Sequence, residues 1–445
     1  MFNRFAAAAL VVFATIMPAQ AQDRAALNAF VDERLTDAIR LMDAHFRIPE
    51  TGQYRDAIRI GGAPEKQPRV SSIAATGIGL MSLAMGDALG VVADAEAKAI
   101  KTLRNLLNRD ATNDFSIYRS ANGWYPHFID GFTGERTNGS QEKVSTIDTA
   151  LLAAGTAIAA RYFSAKSYTS GQGESRVFML GGRVVGGVRW RSAIRSVDRG
   201  LIHLVFKGDG EEPLMNIFAN PFDEYAMLPC ITMRGEQLAG REGKAHDLFM
   251  KHYDDISALP FNDFEGIPVL GKRNGSFIAH FTHQFAYYFC NAFSGQNDYR
   301  QALRDLARAD RAHFVKKGFD PTLWGIGAGA EVKFKDDGTV QRTGYGVVEL
   351  DDNEHDTASP AIMAGFAPLW RPGREGDPVV DLKTLWEAGT CRYAHQNLGF
   401  LWRCSAREPQ HKVRRVEAID FSTYIMGLAG RHPKLGIAFF RHFNL

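Results

Sequence analysis

The stretch Ile73-Ala-Ala-Thr-Gly-Ile-Gly-Leu-Met-Ser-Leu-Ala-Met-Gly-Asp-Ala-Leu89 decides the fold, because it is apolar on nearly every side of a helix. A helix without a polar face is usually buried among other elements. The stretches before and after it, Leu27 to Phe46 and Asp94 to Leu107, carry apolar residues at three- and four-residue steps, which is typical of amphipathic helices. The pattern therefore predicts one buried helix with an amphipathic helix on either side of it in the chain.

Further helical patterns follow, separated by loops rich in glycine, proline and aspartate. Strand-like alternation is short and scarce, as in Thr339 to Val348. No charge run or low-complexity linker divides the chain, so residues 22–445 are predicted to form one large all-α domain. Paired helices without a repeat of fixed period favour an α/α toroid over a solenoid. The remaining predicted helices are Thr149 to Phe163, Val188 to Leu204, Asp223 to Ile231, Ala245 to Tyr253, Ile278 to Phe293, Tyr299 to His313, Ser359 to Phe366, Val379 to Trp386 and Thr423 to Leu428.

The composition of the chain is that of a globular protein. Of its 445 residues, 45% are apolar and 23% are charged, which excludes a disordered, collagen-like or coiled-coil chain. The 52 lysines and arginines exceed the 50 acidic residues by two. So small a net charge gives no strong field to attract nucleic acid or an anionic membrane, and neither is expected as a partner.

Residues 1–21 have the layout of a secretory signal peptide. Arg4 is the only charge before Asp23, the run from Phe5 to Met17 is almost wholly apolar, and Ala19-Gln-Ala21 is a cleavage pattern. The apolar run is shorter than the ~20 residues that a membrane-spanning helix needs. We therefore expect an exported protein, periplasmic or secreted, which inserts into no membrane after the signal is cleaved.

Four cysteines are too few for a disulfide scaffold in a chain of this length. Export permits disulfides, and Cys391 and Cys404 stand close enough in sequence to close a short loop. Cys230 and Cys290 lie in apolar helical stretches. For these two, buried free thiols explain the sequence at least as well as a disulfide does. None of the four shows CxxC or histidine-rich spacing, so no zinc site is predicted.

Two neighbouring segments combine aromatic rings with carboxylates. Trp124, Tyr125 and His127 lie between Asn122 and Asp130, and Asp148 stands in the first turn of a predicted helix. Aromatic faces beside fixed acceptors suit sugars, whose C–H faces stack while their hydroxyls need partners. The same residues are also compatible with a loop that tucks Trp124 into the core and with a carboxylate that only complements the helix dipole.

Two further acidic segments contain candidates for acid–base chemistry. Glu224 stands at a predicted helix start before an apolar face, and partial burial would raise its pKa towards the value that a general acid needs. Glu349 to Pro360 is the densest acidic stretch, where Asp356 and Glu354 precede a helix opened by Ser359-Pro360. Solvated carboxylates are the alternative in both places, and the spacing lacks the EF-hand pattern for calcium.

Other chemistries find no support in the sequence. It contains neither a GxSxG nucleophile elbow nor a GxxxxGK[ST] phosphate loop. Gly325 to Ala330 lacks the preceding strand that a dinucleotide-binding loop requires. His280 and His283 are three residues apart on a predicted helix, and without a third ligand they fit the core or a pocket wall better than a metal site.

The order of these motifs resembles the glucoamylase-like domain family of bacterial glycoside hydrolases, the group that contains β-1,2-glucanases. The resemblance runs from about Arg34 to the C-terminus. Its most distinctive part is the pair Trp124 to Gly134 and Val144 to Leu152. The other similar segments are Ser72 to Leu80, Phe222 to Tyr225, Ser276 to Asn291, Leu323 to Ile326, Asp356 to Ala361 and Ala418-Ile-Asp-Phe-Ser422.

The resemblance implies an (α/α)6 toroid with a glucan-binding cleft and no metal or organic cofactor. Glu224 falls at the position of the family's general acid. Asp356 matches the general base after a shift of one residue, with Glu354 and Asp352 as alternatives. The implied substrate contacts come from Asp148, Trp124, Tyr125, His127, His283, Trp324 and Glu354.

The sequence therefore predicts an exported glycoside hydrolase that cleaves β-1,2-glucan internally, with two carboxyl roles around an oxocarbenium-like transition state. The family implies inversion at the anomeric carbon. Two alternatives stay open: a related enzyme that acts on another exopolysaccharide linkage or transfers glycosyl groups, and a non-catalytic glycan-binding protein of the cell envelope.

Overall fold

A computed structural model gives the arrangement of most of the chain. The predicted signal peptide lies outside the described residues, as do Glu224 and Glu354. The described residues are 23–137, 143–207, 212–214, 217–222, 226–240, 243–335, 337–352 and 356–445.

Helices dominate this part of the chain. Within it, no helix is both long enough and apolar enough to cross a bilayer. The first helix passes into a π-helical turn at Met42–Phe46. The α-helices are α1 (23–41), α2 (Ile73–Leu89), α3 (Ala95–Leu106), α4 (Thr146–Thr169), α5 (Arg176–Gly186), α6 (Met227–Leu238), α7 (Lys244–His252), α8 (His280–Phe289), α9 (Asn291–Ser294), α10 (Asn297–Lys316), α11 (Pro360–Gly365), α12 (Pro378–Ala388), α13 (Ala418–Arg431) and α14 (Gly436–Phe443).

Six of these helices contact one another in a closed cyclic order. The contacts run from α2 to α4, α6, α8, α11 and α13, and α13 returns to α2. Each ring helix is largely buried, and α2 is buried continuously from Ile73 to Gly86, as its all-round apolar sequence predicts. A second set packs against the ring, with α3 on α2, α5 on α4, α7 on α6, α10 on α8 and α12 on α11.

Glycine allows the ring helices to approach closely. A Cβ atom on Gly155 of α4 would lie 1.9 Å from the carbonyl oxygen of Gly77 in α2. A Cβ on Gly427 of α13 would lie 1.9 Å from the carbonyl oxygen of Ala364 in α11. No other side chain fits at distances this far below van der Waals contact, so the two backbones touch only because these positions are glycine.

Short strands join the helix ends in two- and three-stranded antiparallel sheets, so the fold is mainly helical but not all-α. The pairing of β1 with β17 brings Ala57 opposite Glu417. The strands are β1 (Ala57–Arg59), β2 (Val70–Ser72), β3 (Phe128–Asp130), β4 (Lys143–Ser145), β5 (Ile194–Ser196), β6 (Leu201–His203), β7 (Val205–Lys207), β8 (Phe218–Ala219), β9 (Phe261–Phe264), β10 (Ile267–Leu270), β11 (Gly329–Phe334), β12 (Val340–Gly346), β13 (Thr357–Ala358), β14 (Arg392–His395), β15 (Leu398–Leu401), β16 (Cys404–Ser405) and β17 (Arg415–Glu417).

Most predicted helices are present, and one prediction is wrong. The stretch Val188 to Leu204 contains a 3-10 turn at Trp190–Ala193 and then the paired strands β5 and β6. Gly186-Gly187 ends the preceding helix, and the turn at 197–200 reverses the chain. Both features interrupt the apolar periodicity that suggested a helix. Neither α5 nor the C-terminal helix α14 was predicted.

Both pairs of cysteines form disulfides. Cys391 and Cys404 close the loop that their spacing suggested, with their Cα atoms 5.3 Å apart. Cys230 and Cys290 are joined as well, with a Cα–Cα distance of 6.3 Å, so the interpretation of free thiols is wrong. This second bridge connects the C-terminal end of α8 to α6, two neighbours in the helix ring.

Replacing Gly155 by alanine should lower the free energy of unfolding by at least about 2 kcal/mol, because α4 must move away from α2 to make room for the methyl group. Gly182→Ala is the matched control. Gly182 is exposed in α5, and a Cβ added there would have no atom within 4 Å. The control substitution should therefore stabilise that helix by about 0.5–1 kcal/mol. Urea denaturation of both variants measures the difference. Equal stability of the two would show that the helices are not in contact at Gly155.

Candidate functional site

A cavity of about 450 Å³ opens where the N-terminal ends of α4, α6, α8 and α13 come together. Its apolar wall is formed by Phe128, Ile147, Leu151, Met227, Phe281, Phe285, Val347 and Ile419. Its polar wall is formed by Asp56, His127, Asp148, Thr282, Tyr345, Arg415, Glu417 and Asp420. Apolar faces beside a small number of polar groups are typical of sites that bind small molecules or parts of a chain.

The short sheets and helix starts fix the positions of the acidic side chains. Asp56 precedes β1, and its carbonyl oxygen accepts a hydrogen bond of 2.8 Å from the N–H of Ala418. The pairing of β1 with β17 then places Glu417 opposite Ala57. Asp420 lies in the first turn of α13, where the helix dipole favours a negative charge. Three carboxyl groups from two distant parts of the chain therefore meet at one end of the cavity.

Glu417 and Asp420 are almost completely buried although they line the cavity. Burial, together with the neighbouring Asp420 carboxyl, raises the pKa of Glu417 to about 8. Burial likewise raises the pKa of Asp420 to about 7. The Tyr345 hydroxyl lies beside Asp420 and lowers the pKa of this carboxyl group, against the larger effect of burial. Both carboxyl groups can therefore carry a proton near neutral pH.

Two arginines limit the cost of this buried charge. Arg415 Nε lies 3.1 Å from Glu417 Oε1, and Arg415 Nη2 lies 3.2 Å from Asp56 Oδ2. Arg403 is completely buried behind the pair and is fixed by a 3.1 Å ion pair with Glu331. Its charge lowers the pKa of both Glu417 and Asp420, against the larger effect of burial.

The wall formed by the start of α4 contains two of the predicted site residues. The Ser145 hydroxyl caps α4 by accepting a 3.2 Å hydrogen bond from the N–H of Asp148. The Asp148 carboxylate is buried, and its Oδ1 lies 3.5 Å from His127 Nε2. His127 is half exposed and stacks on Phe128 with ring centroids 3.7 Å apart. The structure thus brings Asp148 and His127 together at the cavity.

Four other predicted contact residues lie in the core instead of on the cavity wall. Trp124 donates from Nε1 to Ser192 Oγ and packs against Trp190, and the Tyr125 hydroxyl donates to the Leu106 carbonyl oxygen. The sequence was compatible with a sugar-binding loop and with a loop that buries Trp124 in the core. The structure has the second arrangement. Full burial leaves neither ring face open to a sugar.

Trp324 and His283 are buried in the same way. Trp324 donates from Nε1 to Asp381 Oδ2 at 2.9 Å. His283 Nε2 lies 2.9 Å from the Leu270 carbonyl oxygen, and burial lowers the pKa of its imidazole to about 3, so the ring is neutral. The residues of α8 that line the cavity are its neighbours Phe281, Thr282 and Phe285.

Asp356 is held between two cations and is not among the residues that line this cavity. Its Oδ1 lies 2.6 Å from Lys317 Nζ, and its Oδ2 lies 2.9 Å from Arg407 Nη2. The alternative Asp352 is exposed. The two ion pairs indicate a structural role for Asp356, which the sequence alone did not suggest.

Six polar residues of the cavity were not among the predicted site residues: Asp56, Thr282, Tyr345, Arg415, Glu417 and Asp420. Asp420 was noted only within the segment Ala418 to Ser422. The sequence nevertheless contained a signal for Asp420. A carboxylate in the first turn of an apolar helix is the same pattern that made Asp148 a candidate. Glu417 had no such signal, since its place in the cavity depends on the pairing of β17 with β1.

Comparison with known proteins identifies the fold. No protein-family model matches the chain, and no curated protein sequence matches it. Solved structures do match over nearly its whole length. An endo-β-1,2-glucanase from Chitinophaga pinensis, in complex with sophorotriose and glucose, has a TM-score of 0.70 at 15% identity, covering 94% of each chain.

Two further solved structures agree with this result. A candidate glucoamylase from Bacteroides uniformis has a TM-score of 0.69 at 18% identity and covers 93% of each chain. An endo-β-1,2-glucanase from Talaromyces funiculosus, in complex with sophorose, has a TM-score of 0.65 at 13% identity, covering 94% of this chain and 86% of its own. The chain therefore shares the fold of these proteins, as the resemblance of its motifs predicted.

The buried carboxyl pair should make stability depend on pH. Glu417 has a higher pKa in the folded protein than in the unfolded chain, so its contribution to stability is present at low pH and is lost as pH rises through about 8. Between about pH 5 and 9, the free energy of unfolding should therefore decrease less in Glu417→Gln than in the wild type. Urea denaturation at constant ionic strength measures both slopes. The exposed substitution Glu174→Gln should keep the wild-type slope, and an unchanged slope in Glu417→Gln would contradict the burial of its carboxyl group.

Asp356→Asn should lower the free energy of unfolding by about 1–2 kcal/mol, because Lys317 and Arg407 lose a shared buried partner but remain partly hydrated. Asp298→Asn, at an exposed site in α10, should change it by less than about 0.5 kcal/mol. Thermal and urea denaturation compare the two. If Asp356→Asn has the stability of the wild type, the two ion pairs contribute nothing to the free energy of unfolding. The catalytic role that the sequence suggested for Asp356 would then regain support.

Proposed function

We propose that the protein is an exported glycoside hydrolase that cleaves β-1,2-glucan within the chain. The observation that carries the proposal is the cavity at one end of the helix ring, where buried carboxyl groups with raised pKa values face apolar and aromatic walls. Hydrolysis of a glycosidic bond needs one carboxyl group that carries a proton and one that does not. The shared fold with endo-β-1,2-glucanases supports this assignment without establishing it, because a fold hosts many activities.

The architecture that we propose for residues 22–445 is a single (α/α)6 toroid. Six helices in cyclic contact, with outer helices packed against five of them, support it. In such a toroid the helix starts and the loops at one end form the site, which agrees with the position of the cavity. Export through the predicted signal peptide at residues 1–21 would deliver the protein to the periplasm or the medium, where such glucans are accessible.

In this proposal Glu224 protonates the leaving oxygen. The assignment rests on the resemblance of the segment Phe222 to Tyr225, and it is supported by Met227, three residues later, which lines the cavity. Asp148 accepts hydrogen bonds from sugar hydroxyls, and His127 presents an open ring edge beside it. The reaction would proceed with inversion, with the role of base taken by a second carboxylate. The residues that the sequence offers for that role are Asp356, Glu354 and Asp352.

The proposal predicts that the wild-type protein releases short oligosaccharides from linear β-1,2-glucan, and that Glu224→Gln reduces turnover by a hundredfold or more, because the amide cannot donate a proton to the leaving group. Chromatography of the products over time measures both. Glu174→Gln, an exposed substitution of the same type, should keep wild-type turnover.

Two other results would lead to different conclusions. Turnover unaffected by Glu224→Gln would remove Glu224 from the role of acid. Products from a different glucan, or glycosyl transfer products, would keep the enzyme class and change the substrate or the acceptor. Binding of β-1,2-glucan without any products from the wild type would favour the non-catalytic glycan-binding protein.

A further inference from the structure

We propose that a groove between α3 and α5 binds a phosphate group through four arginines. The groove has a volume of about 290 Å³, and none of its lining residues also lines the cavity of the candidate site. It is therefore a second site, separate from the proposed hydrolysis of glucan. Its lining residues are Arg104, Arg109, Arg176, Met179, Leu180 and Arg183.

Two outer helices that pack against each other supply the arginines. Arg104 lies in the last turn of α3, and Arg109 follows the end of that helix. Arg176 and Arg183 lie on α5, about two helical turns apart and therefore on one face of the helix. Four positive charges from two segments of the chain thus line a single groove.

None of these four arginines forms an ion pair with a carboxylate in the part of the chain that the structure describes. Two acidic side chains near the groove are bound to hydroxyl groups instead. Glu96 Oε1 accepts a 3.4 Å hydrogen bond from the Ser175 hydroxyl, and Asp110 Oδ1 accepts one of 2.6 Å from the Thr112 hydroxyl. Unpaired like charges that share a groove repel one another, and a bound anion would remove this repulsion.

The fold holds one of the four side chains in place before any ligand binds. Arg104 donates from Nε and Nη2 to the Arg109 carbonyl oxygen, at 3.3 and 3.0 Å. The Arg109 N–H donates in return to the Arg104 carbonyl oxygen at 2.8 Å. The side chains of Arg109, Arg176 and Arg183 donate no hydrogen bond to any described residue, so their guanidinium groups are available to a ligand. A donor that is fixed in advance loses little conformational entropy on binding.

The start of α5 adds to the preference for an anion. Its first turn contains Arg176 and no acidic residue, and the Ser175 hydroxyl does not cap the helix. The helix dipole places partial positive charge at this end, which is unfavourable for an arginine and favourable for a negative group. The dipole and the Arg176 side chain therefore favour the same kind of ligand.

Phosphate is the anion that best matches four arginines. A guanidinium group can donate two parallel hydrogen bonds to a carboxylate or a phosphate. A carboxylate has two oxygens in one plane, which one or two arginines satisfy, whereas a phosphate group presents at least three acceptor oxygens in different directions. Clusters of arginines are accordingly a recurring means of recognising phosphate groups in proteins.

The phosphate group can come from two sources. One is a soluble phosphorylated compound that enters the groove. The other is the headgroup of an anionic phospholipid, because α5 also exposes Phe178 and Met179, each at 43% of its surface, beside the arginines. The small net charge of the whole chain does not argue against either source, since charges in salt solution act over only ~8 Å and the local cluster decides.

The test uses the full mature chain and a double variant, Arg176→Gln with Arg183→Gln. Calorimetric titration with inorganic phosphate at low ionic strength should give saturable binding with a Kd below about 1 mM. The double variant should bind at least about tenfold more weakly, because two charge-assisted partners are lost. Arg40→Gln, at an exposed position of α1, is the matched control and should bind phosphate as the wild type does.

Sedimentation with lipid vesicles distinguishes the two sources. One set of vesicles contains phosphatidylglycerol and phosphatidylcholine, and the other contains phosphatidylcholine alone. Binding of inorganic phosphate that the double variant loses would support the proposal with a soluble compound as the ligand. Binding to the anionic vesicles alone, again lost in the double variant, would support it with a lipid headgroup as the ligand.

Two results would overturn the proposal. One is the absence of saturable phosphate binding up to about 10 mM together with no sedimentation on anionic vesicles. The other is binding that the double variant retains in full, which would place the anion elsewhere. Thermal melting establishes that the variants fold. Because the groove is separate from the cavity, the double variant should keep wild-type turnover of β-1,2-glucan, and failure of either proposal leaves the other intact.

Discussion

Close contact between helix backbones is the constraint on which the rest of the structure depends. Gly155 of α4 rests against the backbone of Gly77 in α2, and Gly427 of α13 rests against Ala364 in α11. Any Cβ at Gly155 or Gly427 would overlap a carbonyl oxygen, so these contacts set the separation of neighbouring helices. Small separations let six helices close a ring whose interior is filled by side chains. Glycine weakens an isolated helix, and here that cost is offset by packing with the neighbouring helix.

The ring in turn determines where charge can be held. At one end, the N-termini of four ring helices meet around the cavity, and their dipoles favour negative groups. Asp148 and Asp420 occupy the first turns of two of these helices. Arg403 and Arg415 supply positive charge behind and beside the carboxyl pair. Even so, burial outweighs these stabilising effects and keeps the pKa values of Glu417 and Asp420 raised. Side chains that cost stability in this way are often those that a function requires.

The three solved structures named for this fold are at most 18% identical to the chain. At that distance the backbone arrangement persists while individual side chains change, so the fold supports a class of protein and the site must support the chemistry. The cavity in the structure has a different lining from the site that the motifs suggested. Asp148 and His127 line the cavity, whereas Asp356 is engaged by two cations and the predicted aromatic walls of Trp124 and Trp324 are buried.

The sequence by itself determined most of the helices. An apolar run placed α2 at its observed bounds, and Ser145 followed by Asp148 marked the start of α4, because such patterns depend on residues within a few positions of one another. The tertiary structure alone decided which side chains meet. Trp124 and Phe128 lie four residues apart, yet one is in the core and the other lines the cavity. Glu417 reaches the site because β17 pairs with β1 from the other end of the chain. Local sequence carries no record of such a contact, since burial and pairing with distant segments arise only when the whole chain packs.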